Sequence, residues 1–266
     1  MKREDYRKRK SEGIPFAMVT CYDFPLARLL DEVGIEMIFV GDSLGTNVLG
    51  YGDVREVTVA DMRHHLRAVR RGVRKGDVVV DLPFGSYGTP SLAVDTAAGF
   101  SMDGADLIKL EGGMTVLPQV RALVDEGHRV IAHLGYQPQF HEEGEPIVCG
   151  RSEEEVSDLL ETALAFDQAG AEMVLLECVT ERVAGMVTGR LSIPTIGIGS
   201  GNRCDGQVLV LHDLLGINKV GYRFVRQYAA LADEIKRAAA EFRDDVAERS
   251  FPGEGEWFNS PQGLVD

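Results

Sequence analysis

Residues 152–179 read SEEEVSDLLETALAFDQAGAEMVLLECV, and this stretch decides the fold. Val156, Leu159, Leu160, Ala163 and Phe166 recur at helical spacing among acidic and polar positions, which makes one apolar stripe. Ser152 with Glu155 is a capping-box signature, and Gly170 supplies a C-terminal stop. The spacing therefore predicts a helix over 152–169. The run EMVLLECV (172–179) is apolar without alternation, the pattern of a strand covered on both faces. A helix that hands over to a doubly covered strand is the unit of a parallel α/β sheet.

The same unit recurs in both directions along the chain. Further strands are predicted at FAMVTCYD (16–23), MIFVGD (37–42), DVVVDLP (77–83), ADLIKLEG (105–112), RVIAHLG (129–135), IPTIGIG (193–199) and QVLVLHD (207–213). TVADMRHHLRAVRRGV (58–73) has helical spacing, and Gln227 to Arg249 reads as a long final helix. Gly199 to Gln207 leaves room only for a turn, so one crossover helix is short or missing. Eight strands in βα alternation within 266 residues predict an α/β protein, a (β/α)8 TIM barrel in a single domain. The competing architecture, an open doubly wound sheet, usually carries a Gly-rich fingerprint after its first strand. Here that strand ends in CYDFP (21–25). A charged N-terminal extension (about 1–14) and a Gly/Pro-rich tail (about 250–266) flank the barrel. The tail is expected to lie over the surface or a neighbouring subunit.

Composition narrows the partners. Lys+Arg number 28 and Asp+Glu 42, a net charge of −14, which repels nucleic acid and anionic membrane. The basic residues are mostly Arg, which suits either a salt-rich cytoplasm or ordinary solubility. Cys21, Cys149, Cys178 and Cys204 form no CxxC pair, and Cys21 and Cys178 sit in apolar runs as small hydrophobes. A reducing compartment is expected, without a disulfide scaffold or a zinc site. No apolar run reaches the ~18 residues of a membrane span. MKREDYRKRKSEG (1–13) lacks the apolar core of a signal peptide, so the cytosol is the expected location.

In a barrel, chemistry gathers where strands end. Those ends carry Asp42 and Ser43, Asp81, Lys109 and Glu111, His133, and Glu177. Singly, such an Asp reads as a helix N-cap and such a His as a satisfied core residue. Together, three carboxylates on neighbouring strand ends crowd like charge, which a hard divalent cation such as Mg²⁺ neutralises while leaving positions for substrate oxygens. Glu177 lies within apolar LLECV (175–179) and has two readings, a general base of raised pKa or a buried acid paired with an arginine. The glycines of IGIGSGN (196–202) read as tight-turn residues. His64 and His65, adjacent on a helix, read as surface or packing residues.

The chain also resembles a known family. MVTCYD (18–23), VGDSLG (40–45), TVADMRHHLRAVRRG (58–72), DLPFGSY (81–87), IKLEGG (108–113), HLGYQPQ (133–139), LLECV (175–179), IPTIGIGSGNRCDGQVLVLHDLLG (193–216) and FPGEGEWF (251–258) are similar, in order, to the ketopantoate hydroxymethyltransferases. The resemblance implies a (β/α)8 barrel that transfers a hydroxymethyl group from 5,10-methylenetetrahydrofolate to 3-methyl-2-oxobutanoate. The product would be 2-dehydropantoate, in pantothenate and coenzyme A biosynthesis. It implies Mg²⁺ or a similar divalent ion, with Asp42 and Asp81 as direct ligands and Glu111 through water. It places Ser43 at the oxo-acid carboxylate, Lys109 and His133 beside the substrate, and Glu177 as the base. It also implies a homodecamer. GTNVLG (45–50) and FHEEGEPIVCGR (140–151) depart from the family pattern. Two rivals are a Mg²⁺-dependent barrel of the phosphoenolpyruvate mutase/isocitrate lyase type, whose KKCGH-like segment is absent, and a non-catalytic oxo-acid-binding barrel.

Overall fold

A computed structural model describes residues 5–141, 146–218 and 221–259. Residues 1–4 of the N-terminal extension, 142–145 of the FHEEGEPIVCGR loop and 260–266 of the tail lie outside the described residues. Eight parallel strands close into a barrel in chain order. They are β1 (Phe16–Thr20), β2 (Met37–Val40), β3 (Asp77–Asp81), β4 (Leu107–Glu111), β5 (Val130–Gly135), β6 (Met173–Glu177), β7 (Thr195–Ile198) and β8 (Gly206–Leu209). Helix α1 (Tyr6–Glu12) precedes them. The crossovers are α2 (Phe24–Glu32), α3 (Val59–Gly72), α4 (Pro90–Met102), α5 (Leu117–Asp125), α6 (Glu153–Gln168) and α7 (Glu181–Arg190). No described helix lies between β7 and β8, in line with the short 199–207 connection.

The unbroken apolar runs follow from this arrangement. Side chains alternate along each strand. One parity (Met18, Met37, Phe39, Val79, Leu107, Ile131) fills the barrel interior. The other (Ile38, Val40, Val78, Val80, Leu110, Leu176) packs beneath the helices. Both faces exclude water, so neither parity is polar along most of a strand.

The N-terminal extension is more than an extension. Asp5 caps α1 by accepting from the Lys8 amide at 3.0 Å. Tyr6, fully buried, joins the interior cluster and meets the Phe16 ring at 4.9 Å between centroids. Helix α1 thus closes the N-terminal end of the barrel. Arg9 and Lys10 pair with Glu36 and Asp205 at 2.8 Å each, and a single aromatic does the sealing.

Several predicted boundaries move. The strand predicted over 16–23 stops at Thr20, because Asp23 accepts from the Leu26 amide at 2.9 Å and starts α2. The strand predicted over 207–213 stops at Leu209. The Leu211 amide turns to the Thr20 hydroxyl (3.0 Å), and Leu211–Leu214 form a helical turn, α8. The final helix, α9, runs Leu231–Glu248 rather than from Gln227. Amides of Tyr228 and Leu231 bond instead to the carbonyls of Leu214 and Leu215, which delays the helical frame. Ser152 caps α6 as expected, but the Glu155 carboxylate reaches Gly150 and Arg151 amides, so the box is half formed.

By compactness the chain falls into two units. Met1–Leu211 with Tyr222–Val225 contains the barrel, and His212–Gly221 with Arg226–Asp266 contains α9. No described helix is long and apolar enough to cross a membrane.

Candidate active site

The inward parity that is apolar at mid-barrel turns polar at the C-terminal mouth. Val79 gives way to Asp81, Leu107 to Lys109 and Glu111, Ile131 to His133, and Leu175 to Glu177. Strand register pairs Asp81 with Lys109, Glu111 with His133, and Gly135 with Glu177. Asp42 and Ser43 follow β2 directly. Asp42, Asp81, Lys109, Glu111 and His133 are all buried, and Glu177 is half-buried. Every residue picked from the strand ends therefore belongs to the same end of the barrel.

The contacts form a chain across the mouth. Lys109 Nζ lies 2.6 Å from Asp81 Oδ1 and 5.4 Å over the Phe39 ring. The Asp42 amide donates to Asp81 Oδ2 at 3.1 Å. His133 stands between two acids, with Nδ1 3.0 Å from Glu111 Oε2 and Nε2 3.4 Å from Glu177 Oε2. These are ion-pair approaches without hydrogen-bond alignment, and both imidazole nitrogens and Glu111 Oε2 are left without a bonded partner. Of the two readings of Glu177, the arginine pairing is corrected: its ion-pair neighbour among the described residues is His133. Ser43 Oγ is 2.9 Å from the Tyr22 hydroxyl.

Charge in this pocket is unbalanced. Burial, reinforced by Asp81 and Glu111, pushes the Asp42 carboxyl well above the usual range. Burial also lifts Asp81, against the pull of Lys109. Burial raises Glu111 too, but His133 and Lys109 outweigh it and hold that carboxyl low. Burial and the Lys109 charge oppose protonation of His133, yet its flanking carboxylates lift it to about 9. The Lys109 ammonium is stabilised against its own burial by Asp81, Glu111 and Asp42. Three buried carboxylates thus face one ammonium and one imidazolium, and Asp42 is left to hold a proton or meet a cation.

The donors fit a hard cation. They are carboxylate oxygens, one of which, Glu111 Oε2, is buried without a hydrogen bond. Among the described residues no three His, Cys, Asp or Glu side chains converge to cage an ion alone.

Several residues that frame the site were not picked out from the sequence. Gln139, from the turn after β5, donates Nε2 to Asp42 Oδ2 (2.7 Å) and its amide to Glu111 Oε1 (3.0 Å). Tyr87 donates its hydroxyl to Gln139 Oε1. Both occur in quoted motifs, DLPFGSY and HLGYQPQ, but lie in loops, where no periodicity marks a side chain's direction. Behind Glu177, Gly135 has φ +91°, and a Cβ there would meet the Glu177 carbonyl oxygen at 2.1 Å. The Tyr136 amide bonds that same carbonyl at 2.9 Å. Cys178 adopts φ +52°, a strained backbone for a non-glycine residue, and Ser200 Oγ accepts from the Val179 amide at 3.0 Å. The glycine-rich turn IGIGSGN thus also supplies a hydroxyl that anchors the segment after Glu177.

The family model described as ketopantoate hydroxymethyltransferase matches residues 1–254. The chain belongs to the ketopantoate hydroxymethyltransferase family. It is 47% identical to a 3-methyl-2-oxobutanoate hydroxymethyltransferase of Nitratidesulfovibrio vulgaris strain DP4, over 98% of this chain and 86% of the relative. It is 43% identical to the enzyme of that name from Geotalea daltonii, over 96% of this chain and 97% of the relative. As a member of this family it is an enzyme, a hydroxymethyltransferase. Among solved structures, a 2,3-dimethylmalate lyase of the PEP mutase/isocitrate lyase superfamily superposes with a TM-score of 0.59 at 19% identity, covering 95% of this chain and 90% of that one. At that identity the likeness shows the shared barrel.

Proposed function

We propose that this member of the family makes 2-dehydropantoate from 3-methyl-2-oxobutanoate and 5,10-methylenetetrahydrofolate. The observation that carries the reading is Glu177, half-buried at the mouth, 3.4 Å from the Nε2 of His133, whose Nδ1 lies 3.0 Å from Glu111. Asp42 and Asp81, with Glu111 behind them, would hold a divalent ion. When bound, that ion supplies Lewis acidity toward the ketone and carboxylate oxygens of the oxo acid.

The side chains then have separate tasks. Ser43, backed by the Tyr22 hydroxyl, orients the oxo-acid carboxylate. Glu177 takes the proton from C3, and the freed electron pair forms the C2–C3 double bond of an enolate. Lys109 stabilises the developing oxyanion with a charge fixed in place by Asp81. His133, held between Glu111 and Glu177, keeps the Glu177 carboxylate oriented and compensates its charge. One water cleaves both C–N bonds of the folate methylene, its two protons going to the tetrahydrofolate nitrogens, and C3 adds to the formaldehyde released, whose oxygen takes the proton back from Glu177. The test is incubation of the purified chain with Mg²⁺ and both substrates, read by mass spectrometry. The expected product is 2-dehydropantoate, formed only with all three present. No product at any Mg²⁺ concentration contradicts the reading.

A further inference from the structure

Gln139 is engaged at every polar position it offers to this site. Its side chain is buried, and its amide nitrogen Nε2 donates to Asp42 Oδ2 (2.7 Å) and to the Leu82 carbonyl (3.0 Å). Its main-chain N–H donates to Glu111 Oε1 at 3.0 Å. Its side-chain oxygen accepts from the Tyr87 hydroxyl, and the Tyr87 carbonyl accepts from Gln119 Nε2 at 3.2 Å. One residue therefore pins one oxygen of each of two carboxylates that sit on different strand ends. One opposite oxygen is left over. Asp42 Oδ1 is used by none of these contacts, whereas Glu111 Oε2 faces His133 Nδ1 at 3.0 Å.

Carboxylates rotate about their last bond, and two that repel each other rotate apart. A donor that fixes one oxygen decides where the other points. The direction of the Gln139 amide is in turn decided by Tyr87. A hydroxyl whose hydrogen is given to Gln139 Oε1 forces the NH₂ end toward Asp42. With the amide reversed, its oxygen would face two acceptors, the Asp42 carboxylate and the Leu82 carbonyl, with no donor for either.

We infer that Gln139, oriented by Tyr87, is a positioning residue that presents Asp42 Oδ1 to the divalent ion. The inference rests on the metal reading proposed above and adds two residues to it that touch neither ion nor substrate. Two chains of contact converge on the carboxylates, one from β2 and β4 and one from the loops that follow β3 and β5. The loops contribute the part that sets direction.

The test is titration of the purified chain with Mg²⁺ alone, by calorimetry, for the unsubstituted protein, Gln139→Leu, Tyr87→Phe and the double variant. Metal-free thermal unfolding of each is recorded alongside. Loss of a partner behind a metal ligand typically costs ~10- to 100-fold in affinity. Gln139→Leu is expected to weaken Mg²⁺ binding by about 10-fold or more. Tyr87→Phe, which keeps the ring and leaves Gln139 free to reverse, is expected to weaken it by a smaller factor. The double variant is expected to be no weaker than Gln139→Leu, because Tyr87 acts through Gln139. Equal Mg²⁺ affinity in Gln139→Leu and the unsubstituted chain overturns this inference alone, as does full additivity of the two substitutions. Lower unfolding temperatures with unchanged affinity overturn it too, since they mark a purely structural role. Absence of Mg²⁺ binding by the unsubstituted chain overturns this inference together with the metal reading.

Discussion

Lys109 shows how one side chain can be both structural and chemical. Its ammonium is buried against Asp81 at 2.6 Å, and removing it would leave three carboxylates facing only His133. Breaking a buried pair by deleting one partner usually costs about 3–5 kcal/mol. Lys109→Met is expected to lose stability in that range in metal-free urea unfolding, well beyond the ~0.5 kcal/mol of an exposed lysine. Loss within that smaller range would place the ammonium in solvent. At this scale the sequence was informative where a side chain has a strand parity to obey. Asp81, Lys109, Glu111, His133 and Glu177 each continue an inward set that begins with Val79, Leu107, Ile131 or Leu175. Gln139 and Tyr87 obey no such period, and only folding of the loops brings Gln139 to Asp42 and Tyr87 to Gln139.

Elements were legible in kind and less so at their ends. The stripe of 152–169 and the runs between Phe16 and Leu209 are set by burial on one or two faces, which sequence spacing records. Ends are set by which partner claims each amide, and that is a tertiary event. Thr20 claims the Leu211 amide and ends β8, and carbonyls of Leu214 and Leu215 delay α9. Asp31, in α2, is such a claimant. Its Oδ1 accepts from the amides of Lys75 and Gly76 at 2.8 and 2.9 Å and so fixes the approach to β3. Burial disfavours the Asp31 charge, but those amides outweigh it and hold the carboxyl below its ordinary range. A lowered carboxylate pKa stabilises above the ordinary value and is lost as pH falls through the folded one. Asp31→Asn is expected to cost about 1–2 kcal/mol at neutral pH, with the difference from the parent vanishing as pH falls through the lowered Asp31 titration. Chemical unfolding of both proteins across pH 2–7 checks this (range set by the carboxylate titration). A difference that persists undiminished in acid would assign the loss to packing.

The molecule as a whole owes its site to closure. An open sheet would spread Asp42, Asp81, Glu111, His133 and Glu177 along an edge, whereas a closed barrel gathers them at one mouth over a core sealed below by Tyr6. Closure was readable from eight doubly covered strands and from CYDFP in place of a glycine fingerprint. The plug by α1 was not, because a lone tyrosine among charges carries no pattern. The proposed chemistry begins with removal of the C3 proton of 3-methyl-2-oxobutanoate by Glu177 at this mouth. It is tested most directly without the folate, by following exchange of that proton for deuterium by NMR in D₂O with Mg²⁺ present. The unsubstituted chain is expected to catalyse the exchange, and Glu177→Gln to slow it by at least about 100-fold while still binding the oxo acid. Exchange at an undiminished rate in Glu177→Gln would contradict the account.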